Sequence, residues 1–292
     1  MNAIPEILGL GEVLWDLLPD GPRLGGAPCN FAFHCRQLGH ASTPVSRVGT
    51  GELGLALRQE LHALDLPTDF VQIDPAHPTG TVRVDLDPTG QPRYTIAENV
   101  AYDFLEWDAR YPDLLANVRA VCFGTLAQRN PVSRGTIRRM LQDTKALRVY
   151  DVNLRQRFYD RDTIEESLRL SDWVKLNADE LDVLTNLFDL PAVFPSAALA
   201  ELRSRYRLAL ACLTRGERGC LVQTETEEVD LPGVPVTVAD TVGAGDAFTA
   251  GLVCLTLEGQ PLRDAAAFAN RLAARVAAAV GATPRIDRNE ME

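Results

Sequence analysis

The stretch "DTVGAGDAFTAGL" (residues 240–252) has a glycine-rich turn directly before an acid and an apolar run. Gly243, Ala244 and Gly245 are small enough for a ligand to approach the backbone, and the apolar residues that follow have helical spacing. Upstream, the valines of "VPVTVAD" (residues 234–240) alternate with other residues, which predicts a strand. We expect this strand to enter a helix through the turn, with first-turn amides that point outward and bind an anion.

Asp246 stands beside this expected anion site. A carboxylate here can take a proton from an attacking hydroxyl while the amides stabilise charge on a transferring phosphoryl group. The alternative is structural, because an acid in the first turn stabilises any helix and glycines form tight turns. The turn and its acid alone leave both interpretations open.

Two other phosphate-binding motifs are excluded or weak. A P-loop needs a lysine after its glycine loop, and the lysines of this chain, Lys145 and Lys175, follow no such loop. The segment "GTGELG" (residues 49–54) imitates a dinucleotide fingerprint, but Asp69 and Asp74 do not end a second long strand as a ribose-binding acid would. If the protein binds phosphate, it uses another architecture.

The overall composition limits the possible function classes. The 292 residues are 46% hydrophobic, sufficient for a single domain over residues 1–292. The net charge of -11 and the lack of a Lys/Arg cluster disfavour a nucleic-acid partner. No apolar run reaches the ~18–20 residues that span a bilayer, so we expect no membrane anchor. Six scattered cysteines, without a CxxC pair or a secretory leader, predict a cytoplasmic protein with reduced thiols.

Short β-rich runs alternate with helical patterns, which favours an α/β fold with a mainly parallel sheet between helices on both faces. The predicted strands are "EILGL", "TPVSRV", "FVQI", "AVCFG", "RVYDVN", "WVKLN" and "LALACLT". The predicted helices lie near residues 27–38, 52–64, 131–142, 163–170, 178–188 and 196–205. Two segments near residues 12–25 and 79–97 depart from this alternation, and the second contains a hairpin pattern. We expect them to form a small β lid over the carboxyl edge of the sheet, where such sheets bind ligands, or else to be plain surface hairpins.

Residues 240–252 resemble the carboxyl-terminal signature of the PfkB, or ribokinase-like, carbohydrate kinase family, DTxGAGDxF. The segment "GGAPCNFAFHCRQLG" (residues 25–39) is similar to the family's amino-terminal signature, GGAxxNxAxxxxxLG. Further matches in the right order are "RVGTGELG", "DVNLR", "KLNADE", "LTRGERG" and "ANRLAARVAAAVGA", so the resemblance covers essentially the whole chain. It implies a ribokinase-like three-layer α/β/α fold with a small β lid and an ATP-dependent sugar kinase.

The resemblance also implies a role for each matching residue. Asp246 matches the catalytic base and the turn before it the anion hole; Arg155, of "DVNLR", would meet phosphate oxygens unless it forms a surface salt bridge. Asn177 and Glu180 match an NxxE element that organises Mg²⁺ and its waters, with a helix capping box as the alternative. The residues implied to bind the nucleotide are Thr214, Gly216, Gly219, Gly243, Gly245 and Asn270. Those implied to bind the sugar are Asp16, Gly26, Asn30, Asn153 and Asp246.

The choice of sugar depends on "LGEVLWDLLPDGPRLGGAPCN" (residues 10–30), which resembles the fructokinase branch and makes fructose the first candidate. A 2-keto-3-deoxygluconate kinase should carry an additional arginine after Arg93, and "YTIAENVAYDFL" contains none, although Arg93 or Arg155 would also supply the charge. Ribose and adenosine kinases are lesser alternatives, and a catalytically silent sugar or nucleotide sensor is the alternative from another class. ATP and Mg²⁺ are the implied cofactors. A K⁺ site is expected among the backbone carbonyls of the loops around Asp240 and Gly281. The expected assembly is a homodimer through the lid.

Overall fold

The computed structural model describes residues 6–86 and 92–291. Its strands are β1 (Ile7–Leu10), β2 (Leu14–Leu18), β3 (Gly21–Gly25), β4 (Ser42–Gly49), β5 (Val71–Asp74), β6 (Gly80–Leu86), β7 (Pro92–Ile96), β8 (Ala120–Phe123), β9 (Leu147–Asp151), β10 (Trp173–Asn177), β11 (Leu210–Thr214), β12 (Cys220–Gln223) and β13 (Glu228–Leu231). Its helices are α1 (Ala27–Gln37), α2 (Glu52–Ala63), α3 (Tyr111–Leu115), α4 (Pro131–Asp143), α5 (Arg161–Arg169), α6 (Ala178–Phe188), α7 (Pro195–Tyr206), α8 (Ala244–Leu257) and α9 (Leu262–Ala277).

Within the described residues, the main sheet has nine strands in the order β13-β12-β11-β10-β9-β8-β1-β4-β5. The strands from β11 to β5 in this order are parallel to one another. Strand β12 is antiparallel to both β11 and β13. Parallel neighbours require crossover connections, and helices supply most of them. The predicted mainly parallel α/β fold is confirmed.

Side chains on alternate positions of a strand enter two different cores. Ala120 and Cys122 of β8 pack with residues of α1, α8 and α9, whereas Val121 and Phe123 pack with residues of α4 to α7. This alternation follows from the pleat of a strand, which points successive side chains to opposite faces. The sheet is therefore the middle layer of three.

A second sheet forms the lid. It has the order β3-β2-β6-β7, with antiparallel hairpins β2–β3 and β6–β7 joined by parallel pairing of β2 with β6. Its strands fall within the two segments that the sequence predicted; residues 87–91, where the hairpin pattern places a turn, lie outside the described residues. A single residue, Gly26, separates β3 from α1, so the lid continues directly into the main domain.

One predicted strand is wrong. Residues 232–243 are all described and form no strand. Pro232 and Pro235 have no amide hydrogen to donate to a sheet, and the amide of Ala239 instead bonds the carbonyl of Ala277 at the end of α9. The glycine turn is thus entered by an irregular segment, whose alternating valines line a cleft instead of a sheet.

Two expectations from composition can be compared with the fold. All six cysteines lie in the described part of the chain and are buried free thiols. A helix with the length and apolar character to span a bilayer does not occur between residues 6 and 86 or between 92 and 291.

Candidate active site

A cleft of about 1410 Å³ lies between the carboxyl edge of the main sheet and the lid. Residues that follow β1, β9, β10 and β11 line it, because the carboxyl ends of parallel strands meet at one edge. The structure brings every site residue suggested by the sequence onto the wall of this one cleft: Asp16, Gly26, Asn30, Asn153, Arg155, Asn177, Glu180, Thr214, Gly216, Gly219, Gly243, Ala244, Gly245, Asp246 and Asn270.

The glycine turn lies at the centre of the cleft. Gly243 has a φ of 79°, a left-handed conformation that favours glycine, and immediately precedes α8. The amide of Ala244 donates to the carbonyl of Thr241 at 3.3 Å and so closes the turn. The amides of Gly245 and Asp246 belong to the first helical turn, where the helix offers them no carbonyl. These two amides are the donors that remain for an anion.

The Asp246 carboxylate stands next to these amides. Its Oδ2 accepts a hydrogen bond from Asn30 Nδ2 at 2.8 Å, which links α8 to α1. Burial raises the pKa of Asp246 to about 7; the negative charge of Asp151 adds to the rise, and the hydrogen bond from Asn30 opposes it. A carboxylate with this pKa is a stronger base than an ordinary aspartate and is still largely ionised just above neutral pH.

A buried ion pair supports the glycine turn from the side of the sheet. Lys175 Nζ lies 3.1 Å from both carboxylate oxygens of Asp151. The Thr249 hydroxyl lies 3.0 Å from Asp151 Oδ2 and 3.0 Å from the carbonyl oxygen of Gly245. A Cβ atom on Gly245 would come within 2.9 Å of Lys175 Nζ, so the glycine allows the ammonium group to approach. Lys175 therefore adds positive charge behind the first-turn amides.

Asn177 and Glu180 form a reciprocal capping box at the start of α6. Asn177 Oδ1 accepts from the Glu180 amide at 2.9 Å, and Glu180 Oε2 accepts from the Asn177 amide at 2.8 Å. The Leu154 amide donates to Glu180 Oε1 at 3.0 Å. Each carboxylate oxygen keeps a second lone pair, so the box remains compatible with a water-mediated contact to Mg²⁺. Among residues 6–86 and 92–291, no cluster of three or more His, Cys, Asp or Glu could hold a metal on its own.

We call one side of the cleft the acidic half, after Glu12, Asp16, Asn30, Arg155 and Asp246. Asp16 lies on β2, and burial raises its pKa to about 6, while the charge of Arg155 opposes this rise. The same guanidinium also opposes the rise in the pKa of Glu12 and of Asp246, which burial causes. Arg155 therefore lies within electrostatic range of three carboxylates.

We call the other side the apolar half, after Val236, Val238 and Val242, which are 38%, 59% and 43% exposed. Asn270 Nδ2 donates to the carbonyl of Pro232 at 2.7 Å and so fixes the start of the segment that carries these valines. Thr214, Gly216 and Gly219 border this half at the turn between β11 and β12. An apolar wall beside a small-residue turn suits a flat aromatic ring.

Two polar contacts join the lid to the main domain across the cleft. Arg23 on β3 lies 3.9 Å from Asp240, at the start of the glycine-turn signature. Gln156, which follows β9, donates through Nε2 to the carbonyl of Tyr94 on β7 at 2.7 Å. The lid is therefore in contact with both sides of the cleft.

The sequence argument missed four polar residues at or behind the cleft: Glu12, Asp151, Lys175 and Thr249. Lys175 entered that argument only as a lysine that fits no P-loop. Its position one strand from Asp151, at the carboxyl end of β10, was a usable signal, because a lysine inside an apolar strand needs an acidic partner.

Comparison with known proteins gives an independent result. A sequence profile of the family described as "pfkB family carbohydrate kinase" matches residues 22–288. A fructokinase of Klebsiella pneumoniae is 32% identical over 262 residues, covering 85% of this chain and 83% of the relative. A sugar kinase of Pyrococcus horikoshii, described as uncharacterized, has a similar structure (TM-score 0.80, 30% identity, 95% of this chain and 93% of that chain). So does the fructokinase of Vibrio cholerae O395 in its form with fructose, ADP and calcium ion bound (TM-score 0.83, 23% identity, 99% and 98%).

The family match extends over almost the entire length that carries the cleft. It agrees with phosphoryl transfer to a hydroxyl group, the functional interpretation of Asp246 and its glycine turn, and with the sugar kinase that the resemblance implied. The chain belongs to the pfkB family of carbohydrate kinases.

Proposed function

We propose that this kinase transfers the γ-phosphate of MgATP to a hydroxyl group of fructose. The observation that carries the proposal is the position of Asp246, a base of raised pKa that Asn30 holds in the acidic half of the cleft, directly after the glycine turn. A sugar in the acidic half and an adenine in the apolar half would bring a hydroxyl and a phosphate to this carboxylate from opposite sides. The Klebsiella pneumoniae fructokinase supports fructose as the acceptor.

The chemical step follows from the residues around Asp246. The carboxylate takes the proton of the attacking sugar hydroxyl. The oxygen of that hydroxyl forms a bond to the γ-phosphorus as the bond from phosphorus to the leaving ADP oxygen breaks. The amides of Gly245 and Asp246 stabilise charge on the transferring group, with the Lys175 ammonium behind them. Mg²⁺, held through phosphate and water near Glu180, would neutralise phosphate charge. The lid would exclude water from the reacting atoms.

The charge of the acidic half supports a neutral sugar. Arg155 is opposed there by Glu12, Asp16 and Asp246, so a substrate carboxylate would meet more negative than positive charge. The presence of Arg155 in the cleft favours 2-keto-3-deoxygluconate as the alternative substrate, because a guanidinium can bind the carboxylate of that sugar acid bidentately. The side chain of Arg93, the other candidate for that role, lies outside the described part of the chain.

A substrate panel at fixed MgATP tests the proposal. ADP release is measured with fructose, ribose, adenosine and 2-keto-3-deoxygluconate, and the highest kcat/KM is expected for fructose. A higher kcat/KM for 2-keto-3-deoxygluconate would overturn the sugar assignment while leaving the kinase assignment intact. Sugar-independent background release, with no increase for any acceptor, would favour a sensor.

We also propose that K⁺ raises activity. Asp240 accepts a hydrogen bond from the Gly281 amide at 3.1 Å through Oδ2 and one from the Val242 amide at 3.0 Å through Oδ1. The bond from Gly281 joins the two loops, the bond from Val242 lies within one of them, and both leave nearby carbonyls for a weakly hydrated cation. Replacement of K⁺ by Na⁺ at constant ionic strength should lower kcat.

The assembly that we propose is a homodimer through the lid. In the described residues, β3 and β7 are the edge strands of the four-stranded lid sheet, and such edges pair readily with another chain. Light scattering after size-exclusion chromatography measures the mass directly. A single species at the 32.0 kDa of one chain, across the concentrations used for activity, would contradict this assembly.

A further inference from the structure

Glu12 is a buried acid that the reaction described above does not use. It follows β1 by two residues, at the carboxyl edge of the main sheet, and its side chain lines the cleft. Only 2% of the residue is exposed. A carboxylate in such a position is costly unless a ligand or a partner compensates for the lost water.

One carboxylate oxygen of Glu12 lacks a hydrogen-bond donor in the described part of the chain. The backbone amides of Glu12 and Ala27 donate to this carboxylate, but its Oε2 is buried and has no partner among residues 6–86 and 92–291, and Asn30 Oδ1 is in the same state. Asn30 uses its amide nitrogen to hold Asp246, so these two acceptor atoms lie near the same base. Buried acceptors without donors are rare in folded proteins, and each calls for a group that arrives from outside.

The surroundings of Glu12 favour a hydroxyl as that group. Arg155 offers positive charge to Glu12, whereas Asp246 opposes its ionisation. Burial raises the pKa of Glu12 to about 7, and a hydrogen bond donated to the carboxylate would stabilise its charged form. An anionic ligand group would be repelled by Glu12 and Asp246 together, whereas a sugar hydroxyl can donate to either.

We propose that Glu12 is a specificity-determining residue whose free oxygen accepts a hydrogen bond from a sugar hydroxyl other than the one that Asp246 deprotonates. The inference rests on the proposed function as a sugar kinase of fructose type and deepens it. A sugar that lacks this hydroxyl would leave Oε2 of the buried carboxylate without a donor, which sites of this kind discriminate against strongly.

The test compares wild type with Glu12→Met and Glu12→Gln, both close in size to glutamate. In Glu12→Met we expect the KM for fructose to rise about 10- to 100-fold, with a smaller rise in Glu12→Gln, because hydrogen bonds to charged groups are the stronger ones. The KM for ATP should stay within about 2-fold of wild type in both. In Glu12→Gln, which keeps an acceptor oxygen for the backbone amides of Glu12 and Ala27, the sugar-free Tm should stay close to that of wild type.

Tyr102→Phe is the matched control. The Tyr102 hydroxyl is also buried and lies within electrostatic range of Glu12, with Arg129 as its neighbour, but Tyr102 does not line the cleft. Its loss should leave both KM values unchanged. A sugar KM within 2-fold of wild type in both Glu12 variants, together with a lower Tm, would show a structural role and overturn the proposal.

Deoxy analogues of fructose identify the hydroxyl. One analogue should cost wild type about 10-fold or more in kcat/KM and cost Glu12→Met less than about 3-fold. Equal losses in both proteins for every analogue would overturn the role of Glu12. If wild type phosphorylates no sugar, the proposed function fails, and the inference is decided by thermal shift: sugar must stabilise wild type more than Glu12→Met. Equal shifts, or none in either protein, would overturn it.

Discussion

The two halves of the cleft are built in opposite ways. The acidic half consists of charged groups that are largely withdrawn from water, such as Glu12 and Asp16, whereas the apolar half exposes valines such as Val238. Buried charged groups discriminate through individual hydrogen bonds, because each unpaired atom has a high cost. Exposed valines bind by contact area, which changes gradually with ligand shape. We therefore expect large effects from changes in the acidic half and small effects from changes in the apolar half.

Asp246→Asn should cause the largest loss. Asparagine keeps the size of the side chain but cannot take the proton, so kcat should fall by about 10² to 10⁴. Steady-state kinetics measure kcat, and equilibrium binding measures the affinity for ATP, which should change little. A variant with wild-type kcat would show that Asp246 is not the base. It would also contradict the larger effects expected in the acidic half than in the apolar half.

Gly245→Val changes the turn between the halves. A valine side chain would clash with Lys175 Nζ behind the first-turn amides and displace the turn, so kcat/KM should fall by about 10² to 10³. The stabilisation of the protein by ATP in thermal unfolding should fall as well. Gly135→Val is the control, because a Cβ atom on this exposed glycine of α4 meets nothing within 4 Å. Equal activity in both variants would contradict the anion site.

The pH dependence of kcat/KM reports on the base in the acidic half. Asp246 must be deprotonated to act, and its pKa is raised to about 7, so activity should be retained above that value and fall about tenfold per unit below it. Direct detection of the sugar phosphate avoids the pH limits of coupling enzymes. An acid limb that is absent down to pH 5 would contradict the raised pKa.

Asn30→Ala sharpens this measurement. The hydrogen bond from Asn30 lowers the pKa of Asp246, so its removal should move the acid limb to higher pH, in addition to any loss of sugar affinity. The pH at which kcat/KM falls to half is read separately from the maximal kcat/KM. A shift to lower pH would show that Asn30 favours the protonated carboxyl group instead.

Val238→Ser in the apolar half should cause the smallest effect. Loss of apolar contact at this 59% exposed residue should raise the KM for ATP by about 2- to 5-fold and leave the KM for the sugar unchanged. Val193→Ser is the control, since Val193 is 75% exposed and does not line the cleft. A loss as large as that of Asp246→Asn would mean that the apolar half discriminates as sharply as the acidic half.

The sequence predicted most of the fold because its signals are local. Periodicity and turn residues in short stretches predicted the two lid segments, the main-sheet strands up to β11 and the helices α1, α2 and α4 to α7, whereas the short helix α3 was not predicted. The run "VPVTVAD" carried the same alternation and was not a strand, because its valines face a ligand cleft instead of a core. Periodicity reports that one side of a segment is apolar, and it does not report what covers that side.

Candidate site residues were suggested where a short motif carried the information, as for Asp246 and Asn177. The ion pair of Lys175 with Asp151 joins residues on neighbouring strands, and the missing partner of Glu12 Oε2 is a property of packing in three dimensions. A lysine inside an apolar strand signals that an acidic partner exists, but no spacing in the chain identifies that partner or the unpaired oxygen. Such groups emerge only when the distance and burial of each polar atom are known.

The connection through Gly26 has a mechanical consequence. Strand β3 ends at Gly25, α1 begins at Ala27, and Asn30 lies in the first turn of that helix, where it holds Asp246. Any swing of the lid that the backbone of Gly26 does not absorb therefore changes the separation of Asn30 and Asp246. The hydrogen bond that lowers the pKa of Asp246 is therefore tied to the hinge of the lid, and a change at Gly26 would reach this carboxylate through Asn30.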